Sequence, residues 1–384
     1  MMKKVISILI LLSIVLGFSA FQCSSTELTS AKLYIQQENY EKALESLKKE
    51  VATNPKSDEG FYLLGTVLGE QGDIKGMLEN FDKSLAISNK FEQNITQSKK
   101  YYWADSFNKG VMLFNKASKL GGSDSANVVF EQAISSFKKS IQCQPDSSDS
   151  YKNLAFAYLN MGRNDEAIEP FQKVKDLTKS EASYVQLGDI YIQKGFKEKE
   201  SGKKDASLIS FDNAIKVLKE GKEKYPSSGD ILLLLSNAYI ASDQLDVAKD
   251  AFKEGVAKDP ENKFYRYNYG SLLLNANEFA EAEVQLKKAL EIDPDYENAV
   301  YNLAVNYVKW GATIREKEEA NAKSPDDVSD AYKEKFKLAL PLLEKYSQIK
   351  PEEGFIWDLL GKVYVNLGMQ DKSEEAYKKA DMYK

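Results

Sequence analysis

Pro226, Pro260 and Pro294 stand 34 residues apart, and each precedes an aromatic or apolar opening to a new helical stripe. Proline fixes φ and carries no amide proton, so it ends one helix and lets the next begin cleanly. A period of this length, filled by two helical patterns, predicts a repeat array: a single unit cannot bury its apolar face alone and must stack on its neighbours. Composition constrains far less. A chain of 384 residues with 43% hydrophobic and 29% charged content would equally suit two or three globular domains.

The unit is clearest at Tyr151, Leu154, Ala155, Tyr158, Ala167 and Phe171. Its first half recurs as Tyr184, Leu187, Gly188, Tyr191, and as Trp357, Leu360, Gly361, Tyr364, with Phe61, Leu64, Gly65, Leu68 as a variant. Spacings of three, four and seven put these side chains on one helical face. The small residues mark where two helices approach closely. Their separation is 12 in six units, from Ala31 to Ala43, Gly65 to Met77, Ala155 to Ala167, Ser236 to Ala248, Gly270 to Ala282 and Gly361 to Ser373. It lengthens to 23, 26 and 35 from Gly110 to Ala133, Gly188 to Ala214 and Ala304 to Ala339.

This pattern resembles the tetratricopeptide repeat, a helix-turn-helix unit of 34 residues, over about residues 27 to 384. The resemblance implies an all-α fold, an α-solenoid of about nine units near 27–57, 58–91, 92–147, 148–180, 181–228, 229–262, 263–296, 297–353 and 354–384. Met77 and Ser373 depart from the small second-helix residue of the family. The insertions "GGSDSAN", "GFKEKESGKKDA" and "EKEEANAKSPDD" predict three taller hairpins, the extra 11 residues of the first amounting to about three turns split between both helices. Pro170 and Pro341 fall inside second helices, where kinks are expected.

The formal charge is −6, and −8 once a leader with Lys3 and Lys4 is lost, which argues against nucleic acid as the partner. Histidine is absent and cysteine nearly so, removing the usual proton shuttle and the usual soft metal ligands. No phosphate-cradling glycine loop, zinc spacing or nucleophile elbow is present. Pairs such as Glu318-Glu319 and Asp326-Asp327 read as solvated helix surface in so acidic a chain. No cofactor, metal or small-molecule substrate is expected, and an enzyme is disfavoured.

Residues 1–22 read as a signal peptide: two lysines, a 14-residue apolar run from Val5 to Phe18, then a short polar stretch before Cys23. The run is shorter than the ~20 residues that span a bilayer. Cys23 resembles the lipid-attachment residue of a bacterial lipoprotein, which would leave residues 23–29 as a short tether and 30–384 as the repeat body. Ala20 and Gln22 depart from the residues such signals prefer, so cleavage near Gly17 to Ala20 and release as a soluble periplasmic or secreted protein is the alternative. Lipidation leaves Cys143 without an intramolecular partner, as a half-buried helix residue.

Two residues before the first small residue stand Asn108, Asn153, Gln186, Asn268 and Asn302, interrupted by Leu63, Leu234 and Leu359. The resemblance implies a concave groove lined by first helices and, in some arrays, an amide ladder holding an extended peptide. An amide suits that task because it both donates and accepts. Tyr267 and Tyr301 would add aromatic area. The other reading has these amides bonding neighbouring helices or water. Asn160, Asn275 and Asn366 read as turn formers. The function expected is a non-catalytic protein-binding scaffold of the bacterial envelope, membrane-anchored through Cys23, or a soluble periplasmic chaperone or adaptor for envelope or secretion components.

Overall fold

The computed structural model describes residues 25–121, 123–322, 324 and 329–383; the leader, Cys23 and Asp326-Asp327 lie outside them. Among the described residues the chain is α-helical, with one short 3₁₀ turn and no strand. The described chain divides into two compact units, one before and one after the junction of Thr178 and Lys179.

The first unit stacks four helical hairpins. They are α1 (Thr26–Gln36) with α2 (Tyr40–Thr53), α3 (Asp58–Glu70) with α4 (Ile74–Ile87), α5 (Glu92–Lys119) with α6 (Asp124–Cys143), and α7 (Ser148–Asn160) with α8 (Asn164–Thr178). The second stacks five: α9 (Glu181–Glu200) with α10 (Lys204–Lys224), α11 (Gly229–Ala241) with α12 (Leu245–Lys258), α13 (Lys263–Asn275) with α14 (Phe279–Ile292), α15 (Glu297–Asn321) with α16 (Ala331–Ile349), and α17 (Gly354–Asn366) with α18 (Gln370–Met382). Within each unit every hairpin packs chiefly on the next, as a repeat array requires.

Local chemistry explains the boundaries. Ser57, Ser147 and Ser228 each accept an amide proton from the third residue onward, capping α3, α7 and α11. Seven of the hairpin tips close alike. After α3, Gly72 takes φ 79°, and the amide of Asp73 donates to the carbonyl of Leu68 at 2.9 Å; after α9, Gly202 takes φ 74°, and Lys203 donates to Glu198 at 2.8 Å. This six-residue closure satisfies carbonyls that a helix end leaves open. At three tips the left-handed position is held by Glu38, Asp243 or Asn277.

Packing follows the small residues. A Cβ on Gly65 would lie 2.6 Å from the Phe81 ring, and one on Gly110 2.5 Å from Phe137. Four residues past the second-helix position, Leu47, Phe81, Phe137, Phe171, Leu218, Phe252, Leu286 and Leu343 are all buried at 1% exposure or less. Each such side chain contributes roughly 1.5–3 kcal/mol of burial.

Met77 and Ser373 do not disrupt their helices. Met77 is fully buried, and its sulfur lies 2.8 Å from where a Gly69 Cβ would sit, so the missing side chain at Gly69 takes up the bulk. Ser373 turns its hydroxyl to the carbonyl of Gln370. Pro170 and Pro341 lie within α8 and α16. Cys143 is not half-buried: it is 7% exposed in the core of the first unit, where burial pushes its thiol up to about 11.

Helix extends into all three insertions, from Asp124 in the first and as far as Asn321 in the third. Most of "GFKEKESGKKDA" continues α9 and opens α10, with Ser201 to Lys203 as the tip. The lengthening is even only there, at 20 and 21 residues. It is uneven in α5 and α6, at 28 and 20, and in α15 and α16, at 25 and 19. The reason in the first unit is that α5 serves two neighbours. Its opening turns carry Ile95 into the core beside α3 and α4, and its later turns pair with α6 through Gly110 and Phe137.

Candidate partner-binding surface

The amides predicted from sequence occupy three different environments. Asn108 on α5 is exposed. Asn153 on α7 and Gln186 on α9 are half-buried, and Asn153 Nδ2 donates to the Asp149 carbonyl of its own helix at 2.9 Å. That bond spends one N–H and leaves Oδ1 as an open acceptor.

Asn268 and Asn302 differ. Asn268 on α13 is 1% exposed, its Nδ2 donating to the Phe264 carbonyl at 2.8 Å while its Oδ1 is buried without a partner. Asn302 on α15 is half-buried and reaches across to the preceding first helix, donating to Ser271 Oγ at 2.7 Å and Tyr267 Oη at 3.3 Å. The amide at Asn302 therefore joins neighbouring helices, the second reading of its role. Asn160, Asn275 and Asn366 each donate to the carbonyl four residues back, near the ends of their helices.

The tyrosines part in the same way. Tyr267 is 8% exposed and lies 5.0 Å from Tyr296, centroid to centroid, so it is stacking core and not open groove. Burial raises its phenol, with Ser271 and Asn302 pulling the other way. Tyr301 is half-buried, its ring 5.3 Å from Tyr346 and edge-on to Phe355 at 5.7 Å. Burial, then Glu353, raises its phenol. Phe355 is 52% exposed.

Two aromatic groups thus form in the second unit: Phe264 and Tyr267 of α13 with Tyr296 at the start of α15, and Tyr301 of α15 and Phe355 of α17 with Tyr346 of the second helix α16. Lys263 lies 5.2 Å over both Phe264 and Tyr296 and pairs with Asp293 at 2.5 Å. Sequence reading of the groove passed over Phe264 and Phe355. Each stands six residues before a first-helix glycine, Gly270 and Gly361, and that offset was the available signal. Asn306 was passed over too: it is fully buried and donates to the Phe279 carbonyl at 3.0 Å.

Chemically, a half-exposed ring such as Phe355 can bury a partner's apolar side chain, and open amide oxygens can accept peptide N–H groups. Glu319 of the sequence-flagged pair is held by Arg315 at 2.7 Å, and Glu318 accepts from Ser329. Among the described residues no group of three or more His, Cys, Asp or Glu is placed to hold a metal ion, and no helix is long and apolar enough to cross a membrane.

Family models described as tetratricopeptide repeat match residues 136–169, 233–297 and 356–384. The peroxisomal targeting signal receptor of Candida albicans is 23% identical over 197 residues, which are 50% of this chain and 32% of that protein. The TPR repeat-containing protein YpiA of Bacillus subtilis is 26% identical over 290 residues, 74% of this chain and 60% of that one. The chain therefore spans about a third and three fifths of these two relatives. Among solved structures, that of MamA aligns at a TM-score of 0.34 and 23% identity, covering 51% of this chain and 91% of that one.

Proposed function

Because the chain is a tetratricopeptide-repeat protein, a class of protein-interaction scaffold, we propose that it is a non-catalytic scaffold of the bacterial cell envelope that holds an extended segment or partner helix against its first helices. The observation that carries this reading is the Tyr301, Tyr346 and Phe355 group, in which a 52% exposed ring is pinned edge-on by a half-buried one. Large rigid aromatic faces of this kind give contact area at low conformational cost and are enriched among residues that dominate interfaces. That one relative is named as a receptor for a targeting signal supports a protein segment as the ligand.

Export and tethering through a lipid at Cys23 complete the proposal, supported by the lysine-led apolar leader ahead of that cysteine. A soluble periplasmic chaperone or adaptor is the second reading, favoured by Ala20 and Gln22 at positions where lipid-attachment signals carry other residues. Two measurements test these. A photocrosslinking amino acid at position 355 should yield adducts with envelope polypeptides while one at exposed Val247, on a second helix, should not; equal yields would defeat the surface assignment. Cys23→Ser should abolish incorporation of labelled fatty acid, and a wild-type chain that takes up no label would favour the soluble form.

A further inference from the structure

The first unit contains an open cleft of about 600 Å³ where the short second hairpin stops against the long third one. The hairpin of α3 and α4 ends at Gly72. Tyr102 of α5 fastens it there, with its hydroxyl donating to Glu70 at 2.8 Å and its ring over Gly69, and Lys139 of α6 donates to the Gly72 carbonyl at 3.2 Å. The neighbouring faces of α5 and α6 form the remaining wall.

The chemistry of that wall separates it from ordinary loop decoration. Ser106 is 7% exposed and lines the cleft, and its hydroxyl makes no hydrogen bond with another described residue. Asp105, Lys109, Gln132 and Ser135 line it too, and none of their side chains makes a hydrogen bond or ion pair with another described residue. The lengthened hairpin of α15 and α16 behaves differently. Its Arg315 donates to Asn366 of α17 at 2.9 Å, and its Lys335 lies 3.3 Å over Trp310 and 3.9 Å from Glu283 of α14. That extension is stitched to its neighbours, whereas the cleft keeps the side chains of Asp105, Ser106, Lys109, Gln132 and Ser135 without a partner among the described residues. Buried or half-enclosed polar groups normally find partners.

We propose that this cleft is a second binding site, separate from the aromatic surface of the other unit, and that it takes a short polypeptide segment carrying one acidic and one basic side chain. Glu70 and Lys139 are engaged by Tyr102 and by the Gly72 carbonyl, which leaves one open charge of each sign, Asp105 and Lys109. A ligand of one sign satisfies one of these two groups and is repelled by the other, while a segment with both signs answers both, and its backbone meets Ser106, Gln132 and Ser135. The volume lies in the ~300–1,000 Å³ range of ligand pockets.

The test uses the full chain and lysine footprinting by mass spectrometry. The probes are three pools of blocked tetrapeptides, randomised over neutral residues and containing lysine with glutamate, lysine alone, or glutamate alone. The mixed pool should slow acylation of Lys109 and Lys139 at least threefold relative to Lys75, and the single-sign pools should not. Ser135→Trp, which fills the cleft from an exposed helix position, should erase the protection. Asp105→Lys, a surface change that leaves the cleft open, should erase it as well and guards against a misfolded Ser135→Trp. Absent protection by the mixed pool, equal protection by the glutamate pool, or protection that survives both substitutions overturns the proposal. Crosslinking at position 355 is indifferent to all of these variants, so the two sites stand or fall separately.

Discussion

Gly65→Ala sets two effects of similar size against each other. Gly65 lies inside α3, where alanine is favoured over glycine by about 1 kcal/mol on helix propensity alone. The added methyl, however, would sit 2.6 and 2.8 Å from two Phe81 ring carbons and 3.0 Å from the Met77 carbonyl oxygen. Neither neighbour yields easily. Phe81 is wholly buried, with Tyr62 stacked 6.1 Å away, and the Met77 carbonyl belongs to the backbone of α4. Overpacking of this kind costs about 1–3 kcal/mol, so the substitution should destabilise the first unit by about 1 kcal/mol despite the better propensity. The assay is urea unfolding of the full chain followed by far-UV circular dichroism. Repeat arrays need not unfold in one step, so the decisive comparison is a double-mutant cycle with Phe81→Leu. The pair should couple by roughly 0.5–3 kcal/mol, the smaller side chain making room for the methyl. A higher midpoint for Gly65→Ala, or strict additivity of the two changes, would show that close helix approach does not set the small residue.

Acid should weaken the second unit through Glu283: burial alone would raise its carboxyl, but Lys287, the Tyr307 hydroxyl and Lys335 outweigh that and hold it below the ordinary 4.5. Its contribution is therefore present above that value and lost as pH falls through the folded-state value, and Glu283→Gln should flatten this part of a stability-versus-pH curve measured by urea midpoints. Cys143, 7% exposed with its thiol pushed up to about 11, should react with a disulfide reagent at pH 8 far more slowly than free cysteine, and at the free rate once urea unfolds the chain. Phe355→Ala should weaken capture of a bound segment about tenfold or more with unchanged helicity, read by fluorescence anisotropy against a peptide identified by crosslinking at that site. Asn302→Ala should cost about 0.5–1.5 kcal/mol in urea unfolding, because it removes bonds to Ser271 and Tyr267.

The repeat was legible because its signal is steric and periodic: Ala155 with Ala167, or Gly270 with Ala282, declare a close helix contact wherever they fall. What sequence did not show was compensation across the contact. Met77 looked like a fault in its unit until Gly69, one turn beyond Gly65 on the facing helix, was seen to make room for it. The amides were misleading for a related reason. Their spacing is regular, but Asn268 is sealed at 1% exposure while Asn108 is open, and that difference depends on the side chains of the neighbouring hairpin. The cleft of the first unit could not be read at all, since it arises from the unequal lengths of α5 and α6 and from where hairpin α3–α4 stops.

The tall hairpin of α9 and α10 carries a consequence for timing. Near its tip Phe196 packs edge-on to Phe211 at 5.2 Å, and Ser210 bonds Glu198 at 2.6 Å, both pairings made within the hairpin itself. Lower down, Gly188 holds Leu218 against it, and Tyr184 and Ile231 close around Gly221, so the root shares its burial with α11. Opening the tip therefore breaks far less than opening the root, and amide protons there should exchange with solvent deuterium well ahead of those around Leu187. A projection of this build breathes from its end inward, which lets it be remodelled by a partner without loosening the stack that carries it.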